Sequence, residues 1–148
     1  LKIIGNDPAV SMPKDGKDLI ELCERKTMGD ENNKYEIEAD LRRVTRCTCS
    51  ICTKKGILLA RVEPDKLKIS EGEDQLKLYQ FNEMVAEHYF CPNCGIHTFG
   101  HPRAAPDKFV VNVNTLDDWD VHSETPEIRL FDGRNWEKAF AESAGQRR

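Results

Sequence analysis

Five of the six cysteines of this chain lie in two short runs, and this clustering constrains the fold more than any other feature of the sequence. Cys47, Cys49 and Cys52 form a C-x-C-x-x-C run, and Cys91 and Cys94 form a C-x-x-C run. Thiols at such spacing are typical zinc ligands, with Zn–S bonds of about 2.3 Å. The pattern therefore predicts a fold organised around a metal ion.

Disulfide bonds are the alternative use of these cysteines. A disulfide framework belongs to secreted chains, and the first residues lack the apolar stretch of a signal peptide. Cys47, Cys49 and Cys52 are also too close together to pair easily with one another. The spacing favours metal over disulfides, and the apparent compartment predicts a cytoplasmic protein.

Length and charge narrow the class of protein. A chain of 148 residues with a formal net charge of −4 predicts one domain without general affinity for nucleic acid. No apolar run approaches the roughly 20 residues of a membrane span. We expect an extended N-terminal arm over 1–17, a single zinc-binding β domain over 18–140 and a frayed tail over 141–148. The sequence does not predict the oligomeric state.

Short alternating segments separated by turns indicate a mainly β fold. The predicted strands cover residues 19–24, 35–39, 57–62, 67–70, 76–81 and 109–114, and a short helix is predicted at 136–140. The absence of a long helical period argues for several short antiparallel sheets, with the cysteine runs at strand ends.

Two arrangements of the cysteines remain open at this point. Three thiolates from Cys47, Cys49 and Cys52 leave a tetrahedral zinc ion with one exchangeable position, where a substrate sulfur could bind. Alternatively, a fourth residue closes the site, most simply as a structural zinc ribbon of Cys49, Cys52, Cys91 and Cys94. The spacing permits both arrangements.

Other polar residues near the cysteines are weaker candidates. His97 and His101 follow the second run and are candidate ligands or acid–base groups. Arg103 is a candidate partner of a substrate carboxylate, and the adjacent Lys54 and Lys55 would favour an anionic substrate. For each of these side chains an ordinary structural or solvent-exposed role is the more common one.

The order of the motifs resembles the family of glutathione-dependent formaldehyde-activating enzymes and centromere protein V. The resemblance extends over about residues 35–137. The matching segments are YEIEADL at 35–41, RCTCSICTKKG at 46–56, YQFN at 79–82, FCPNCGIHTF at 90–99, PR at 102–103, NVNTLD at 112–117 and FDGRNWE at 131–137.

The resemblance implies a fold of several β-sheets around zinc, similar to that of a Rab-accessory zinc protein. It implies that Cys47, Cys49 and Cys52 hold a catalytic Zn²⁺ whose fourth ligand exchanges. It also implies a carbon–sulfur lyase reaction, the reversible condensation of glutathione with formaldehyde to S-hydroxymethylglutathione. The expected partner is therefore a small thiol or thiol adduct.

The chain departs from the family pattern at the second zinc site. Family members usually carry a C-x-C pair early in the chain, which completes a structural site with the later C-x-x-C. Here only Cys23 stands in that region, so Cys91 and Cys94 need Cys23 or a histidine to complete a site. The alternative function, a non-enzymatic zinc-stabilised protein-interaction module, follows from the likeness to centromere protein V.

Overall fold

Ten strands in two sheets form the framework of the described part of the chain, which covers residues 2–7 and 33–145 of a computed structural model. The prediction of a mainly β fold is confirmed. The strands are β1 Lys2–Asp7, β2 Asn33–Glu38, β3 Arg43–Cys47, β4 Leu59–Val62, β5 Leu67–Glu71, β6 Lys77–Tyr79, β7 Glu87–Phe90, β8 His97–His101, β9 Phe109–Asn112 and β10 Glu127–Phe131.

The smaller sheet contains three antiparallel strands in the order β1-β2-β5. Strand β1 lies within residues 1–17, where the sequence predicts an extended N-terminal arm. The remainder of the arm and the strand expected at 19–24 fall outside the described residues.

The larger sheet has seven strands in the order β10-β3-β4-β9-β8-β7-β6. Its neighbouring strands are antiparallel except for β10 and β3, which are parallel. Their register places Phe131 opposite Cys47. This pairing brings the chain after residue 131 next to the first cysteine run. The Thr48 hydroxyl there donates a hydrogen bond to the Asp132 carboxylate, 84 residues later in the sequence.

The hydrophobic core is shared by the two sheets. Alternation along β2 turns Tyr35 and Ile37 inward, where both are almost fully buried. The Tyr35 ring meets Phe99 of the larger sheet edge to face at 5.4 Å, and its hydroxyl is hydrogen-bonded to Thr115. This core fixes the relative position of the strand ends that carry the cysteines.

The described residues contain three α-helices: α1 Ser50–Lys55, α2 Val121–Glu124 and α3 Trp136–Gly145. Helix α3 begins where the sequence predicts a helix but continues to residue 145, into the tail predicted as frayed. Among the described residues no helix combines the length and apolar character needed to cross a membrane. The division of the chain into arm, domain and tail stays a prediction.

Candidate metal centre

The sulfur atoms of Cys47, Cys49 and Cys52 lie within 4.8 Å of one another. We call these three residues the thiol cluster. Cys47 ends β3, Cys49 precedes α1 and Cys52 lies in its first turn. Cys52 is buried, whereas Cys47 and Cys49 are half-buried. The cluster therefore combines a buried side with a side that solutes can reach.

Hydrogen bonds from backbone N–H groups to cysteine sulfur atoms stabilise the arrangement of the thiol cluster. The Cys49 side chain takes the N-cap position of α1 and accepts a hydrogen bond from the Cys52 backbone N–H at 3.5 Å. The Cys49 N–H in turn donates to the Cys47 sulfur at 3.5 Å. Gly56 ends the helix in the left-handed conformation, with φ of 64°, which glycine adopts without a steric penalty.

A loop from the far end of the chain packs against the thiol cluster. The Thr48 N–H donates to the Phe131 carbonyl at 2.9 Å, and the Arg134 Nε donates to the Thr48 carbonyl at 3.0 Å. A Cβ atom added at Gly133 would lie 2.5 Å from the Cys47 sulfur and 2.8 Å from the Cys49 Cβ. The loop therefore requires glycine at position 133.

Hydrogen bonds within the thiol cluster favour a first negative charge on Cys49. The Cys47 and Cys52 thiols and two backbone N–H groups donate to its sulfur and hold the pKa of Cys49 far below its usual range. The contact with Cys49 raises the pKa of Cys47, and contacts with both other thiols raise the pKa of Cys52. Three adjacent thiolates repel one another, so full ionisation of the cluster requires a cation.

The thiol cluster fits a zinc ion. Zn–S bonds of about 2.3 Å in a tetrahedron place the sulfur atoms about 3.8 Å apart, within the 4.8 Å limit of the cluster. Three soft sulfur donors are also the ligand type that zinc prefers over hard divalent cations. Cys47, Cys49 and Cys52 would be the three protein ligands of such an ion.

A cleft of about 510 Å³ reaches the thiol cluster on one side of α1. We call it the arginine cleft because its cationic groups are Arg46 and Arg134, and none of the described acidic residues lines it. Cys47 and Cys52 are part of its wall. Any molecule in this cleft lies beside two of the three sulfur atoms and two guanidinium groups.

A second cleft, of about 330 Å³, lies against the opposite side of α1. We call it the lysine cleft, since its charged groups are Lys54 and Lys55. The remaining wall residues are Ser50, Ile51, Tyr79 and Phe81. Positions 50, 51, 54 and 55 share one face of the helix, whereas Cys52 and Thr53 face the arginine cleft.

Two histidines pack behind the lysine cleft. Lys55 Nζ and His97 Nδ1 are 3.1 Å apart, and the His97 ring is 5.7 Å from that of His88. His88 stacks on Phe81 at 5.8 Å. Burial, reinforced by Lys55 and His88, lowers the pKa of His97 to about 3, so its neutral ring accepts a hydrogen bond from the Lys55 ammonium.

Cys91 and Cys94, which we call the cysteine pair, close a turn between β7 and β8. The Gly95 N–H donates to the Cys91 carbonyl at 2.8 Å, and Gly95 has φ of 78°. Within residues 33–145 the group of clustered potential ligands does not extend to this pair. The closed ribbon of Cys49, Cys52, Cys91 and Cys94 is therefore not formed there, and a second metal site at the pair stays a prediction.

Two of the weaker candidates have structural partners. Arg103 contacts Glu83 at 2.7 Å and lies 3.8 Å from the Trp136 ring centroid. The His101 Nδ1 donates to the Lys108 carbonyl at 2.7 Å. These contacts hold both side chains in the fold, and neither residue lines either cleft.

Sequence reasoning missed much of the surroundings of the thiol cluster. It did not single out Arg46, Gly133 or Arg134, nor the aromatic residues Tyr79 and Phe81 as a wall of a cleft. The turn at Asp132 and Gly133 was a visible signal, but nothing local indicated that it would meet residues 47–49. That contact depends on the parallel pairing of β10 with β3.

Comparison with known proteins identifies the family of this chain. Residues 31–134 match the family described as glutathione-dependent formaldehyde-activating enzyme. The chain is also similar to a protein of Rhodobacter sphaeroides with a solved crystal structure, at 30% sequence identity and a TM-score of 0.61. The match covers 66% of this chain and 91% of that one.

Proposed function

The chain belongs to the family of glutathione-dependent formaldehyde-activating enzymes, and we propose that it is a zinc-dependent carbon–sulfur lyase. Its substrate would be an adduct of glutathione or a similar thiol, with S-hydroxymethylglutathione as the reference compound. The family membership supports the substrate type, and the thiol cluster supports the use of zinc.

The observation that carries this proposal is the opening of the thiol cluster into a cationic cleft. A structural zinc site is normally closed by four protein ligands. Here three sulfur atoms form a group, and Cys47 and Cys52 line the arginine cleft. A fourth ligand can therefore come from a molecule bound in that cleft.

The three cysteines would hold the ion, which when bound would keep a substrate sulfur in its thiolate form. The remaining work falls to the surrounding residues. Arg46 and Arg134 offer guanidinium groups to the carboxylates of a thiol such as glutathione. The Arg134 side chain is anchored to the Thr48 carbonyl, which limits its freedom before the substrate binds.

The reaction requires no oxidant or further reactant. In the direction of condensation, a sulfur electron pair forms the carbon–sulfur bond to the formaldehyde carbon, and the thiol proton ends on the former carbonyl oxygen. Cleavage reverses both events: the bond electrons return to sulfur, and the hydroxyl proton leaves as the C=O bond forms. The protein contributes orientation and electrostatic stabilisation of the sulfur charge.

Cleavage of S-hydroxymethylglutathione by the zinc-loaded protein tests the proposal. Exchange between the adduct and free glutathione can be followed by NMR, with the uncatalysed exchange as reference. We expect Cys49→Ser to lose most of the catalysed rate, because the thiol cluster then has only two thiolates. Circular dichroism establishes whether the variant keeps its fold.

Cys94→Ser is the matched control, since it removes a thiol outside the thiol cluster. We expect it to keep the catalysed exchange. Exchange that continues unchanged in folded Cys49→Ser contradicts the role of the thiol cluster. Absence of catalysed exchange in the zinc-loaded wild type contradicts the lyase function itself.

A second candidate function is a zinc-stabilised protein-interaction module. It is favoured by exposed apolar residues near β6, which is the last strand of the larger sheet. Leu78, Tyr79 and Met84 are each about half exposed, at 46%, 48% and 57%. Exposed apolar groups beside a sheet edge are typical of interaction surfaces. This function predicts zinc binding without any catalysed exchange of thiol adducts.

A further inference from the structure

The lysine cleft has no role in the reaction as described so far. The arginine cleft already reaches the sulfur atoms and supplies cations for the thiol half of the substrate. The lysine cleft lies across α1, beside Ser50 and Ile51, which stand between Cys49 and Cys52 in the chain. The first turn of α1 therefore contributes residues both to the lysine cleft and to the thiol cluster.

The lysine cleft is too large for formaldehyde. Its volume of about 330 Å³ is many times the roughly 30 Å³ that a water molecule occupies in the liquid, and formaldehyde has only one more heavy atom than water. The cleft would leave most of its wall uncovered around such a small group. Its size fits a substituent with about ten heavy atoms or more.

The wall of the lysine cleft selects flat, anionic groups. Tyr79 and Phe81 stack at 5.8 Å with an angle of 22° between their rings. Both side chains are substantially exposed, at 48% and 39%. Lys54 and Lys55 supply positive charge, and within the described part of the chain no acidic residue lines the cleft. Aromatic faces beside ammonium groups suit a planar group that carries a carboxylate.

Behind two wall residues of the lysine cleft, Lys55 and Phe81, lie two histidines whose buried ring nitrogens find no partner among the described residues. A chain of contacts runs from Lys55 through His97 and His88 to Phe81, so it begins and ends at the wall of the cleft. His97 is only 5% exposed, and neither its Nε2 nor that of His88 has a hydrogen-bond partner there. Buried polar groups normally have partners, so these nitrogens leave unused hydrogen-bonding capacity directly behind the cleft wall.

From these observations we propose that the lysine cleft binds the carbon half of the substrate. That half is a planar organic group with a carboxylate, joined to the sulfur of the thiol, and larger than the hydroxymethyl group derived from formaldehyde. This proposal rests on the proposed lyase function. The ring lies against Tyr79 and Phe81, and the carboxylate lies between Lys54 and Lys55.

Stable thioethers test this assignment without turnover. The probes are S-(4-carboxybenzyl)glutathione and S-benzylglutathione, which differ by one carboxylate. Calorimetry with the zinc-loaded protein gives both dissociation constants. We expect the carboxylated compound to bind about fivefold more tightly, the upper end of what an exposed ion pair contributes. Equal affinities would overturn the proposal.

Substitutions in the two clefts show which of them binds the carboxylate of the benzyl group. The double change Lys54→Met with Lys55→Met removes the positive charge, and we expect the preference to disappear. Lys68→Met removes a lysine from β5, outside the cleft, and the preference should persist. A preference that survives the double change but is lost in Arg46→Met puts the carboxylate in the arginine cleft and overturns the assignment.

Phe81→Leu tests the aromatic wall separately, because it keeps an apolar side chain but removes the flat face. We expect both thioethers to bind more weakly to it, with the preference for the carboxylate kept. Unchanged binding of both compounds would show that the ring of the ligand does not lie against Phe81.

The two proposals fail in different ways. A carboxylate preference without catalysed exchange of S-hydroxymethylglutathione contradicts the lyase function but supports the lysine cleft as a binding site. Catalysed exchange without the carboxylate preference supports the lyase function. It contradicts the proposal that the lysine cleft binds the carbon half of the substrate.

Discussion

The thiol cluster gathers three sulfur atoms within 4.8 Å at the start of α1, whereas the cysteine pair closes a turn between β7 and β8. Three elements meet at the cluster: the end of β3, the first turn of α1 and the loop after β10. Backbone bonds within the turn of the pair run from the Gly95 N–H to the Cys91 carbonyl and from the Cys91 N–H to the Ile96 carbonyl. Close spacing of two cysteines is enough to form a local turn. The surroundings of the thiol cluster, in contrast, come from elements that are distant in the sequence.

The two regions are not independent of each other. His97 follows the cysteine pair by three residues and is bonded to Lys55 of α1, which carries Cys52. The pair thus positions a buried imidazole behind the lysine cleft. Substitutions in each region can therefore be compared by their effects on zinc affinity and on the free energy of unfolding.

The largest expected difference concerns zinc affinity. Cys52→Ser removes one of three thiolates, and we expect the affinity of the thiol cluster for zinc to fall about 10²–10³-fold, one ligand's share of a structural site. Competition with a chromophoric chelator measures the affinity. Cys94→Ser should leave this affinity unchanged; an equal loss in both variants would mean that the two regions share one ion.

The next effect is a loss of stability at low pH through His97. Its pKa is lowered to about 3 in the folded chain, from 6.5, chiefly by burial. Between these values the unfolded chain binds more protons, so stability is present above pH 6.5 and is lost as the pH falls towards 3. At pH 4.5 we expect a loss of about 2–3 kcal/mol from this residue.

Denaturant unfolding of wild type and His97→Gln between pH 7.5 and 4.5 measures this contribution. The difference between the two pH profiles isolates His97 from the thiols and from His88, whose pKa is also lowered by burial. If wild type and His97→Gln lose the same free energy of unfolding between pH 7.5 and 4.5, the loss does not come from protonation of His97.

Gly133→Ala tests the loop over the thiol cluster. The new methyl group would lie 2.5 Å from the Cys47 sulfur, so the loop or the cluster must shift. Overpacking of this kind typically costs about 1–3 kcal/mol. We expect that loss in the free energy of unfolding, together with weaker zinc binding; full zinc affinity in this variant would show that the loop can yield without moving the thiols.

Gly95→Ala is the counterpart in the cysteine pair and has the smallest expected effect. A Cβ there meets no atom within 4 Å, but φ is 78°, so only backbone strain opposes it. The left-handed conformation costs a residue with a Cβ about 1–2 kcal/mol. Urea unfolding should show this loss with zinc affinity of the thiol cluster intact, and reduced affinity would contradict the separation of the two regions.

Much of the strand pattern could be predicted from alternation alone. The segments expected at 35–39, 57–62, 67–70, 76–81 and 109–114 each overlap an observed strand, with ends that agree to within about two residues. Helix α1 was not predicted, because its N-cap is Cys49 rather than Ser, Thr, Asp or Asn. The lysines of its last turn and Gly56 were the remaining signals of a helix end.

The sequence by itself determined the thiol cluster and the family. Six consecutive residues can bring three thiols together with local backbone turns, so no distant contact is required. Only the tertiary structure decided what surrounds the cluster. Gly133 and Arg134 meet residues 47 and 48 because β10 pairs with β3, and the two clefts exist because α1 stands between distant walls. Contacts across more than 80 residues depend on strand order and register, which local periodicity does not encode.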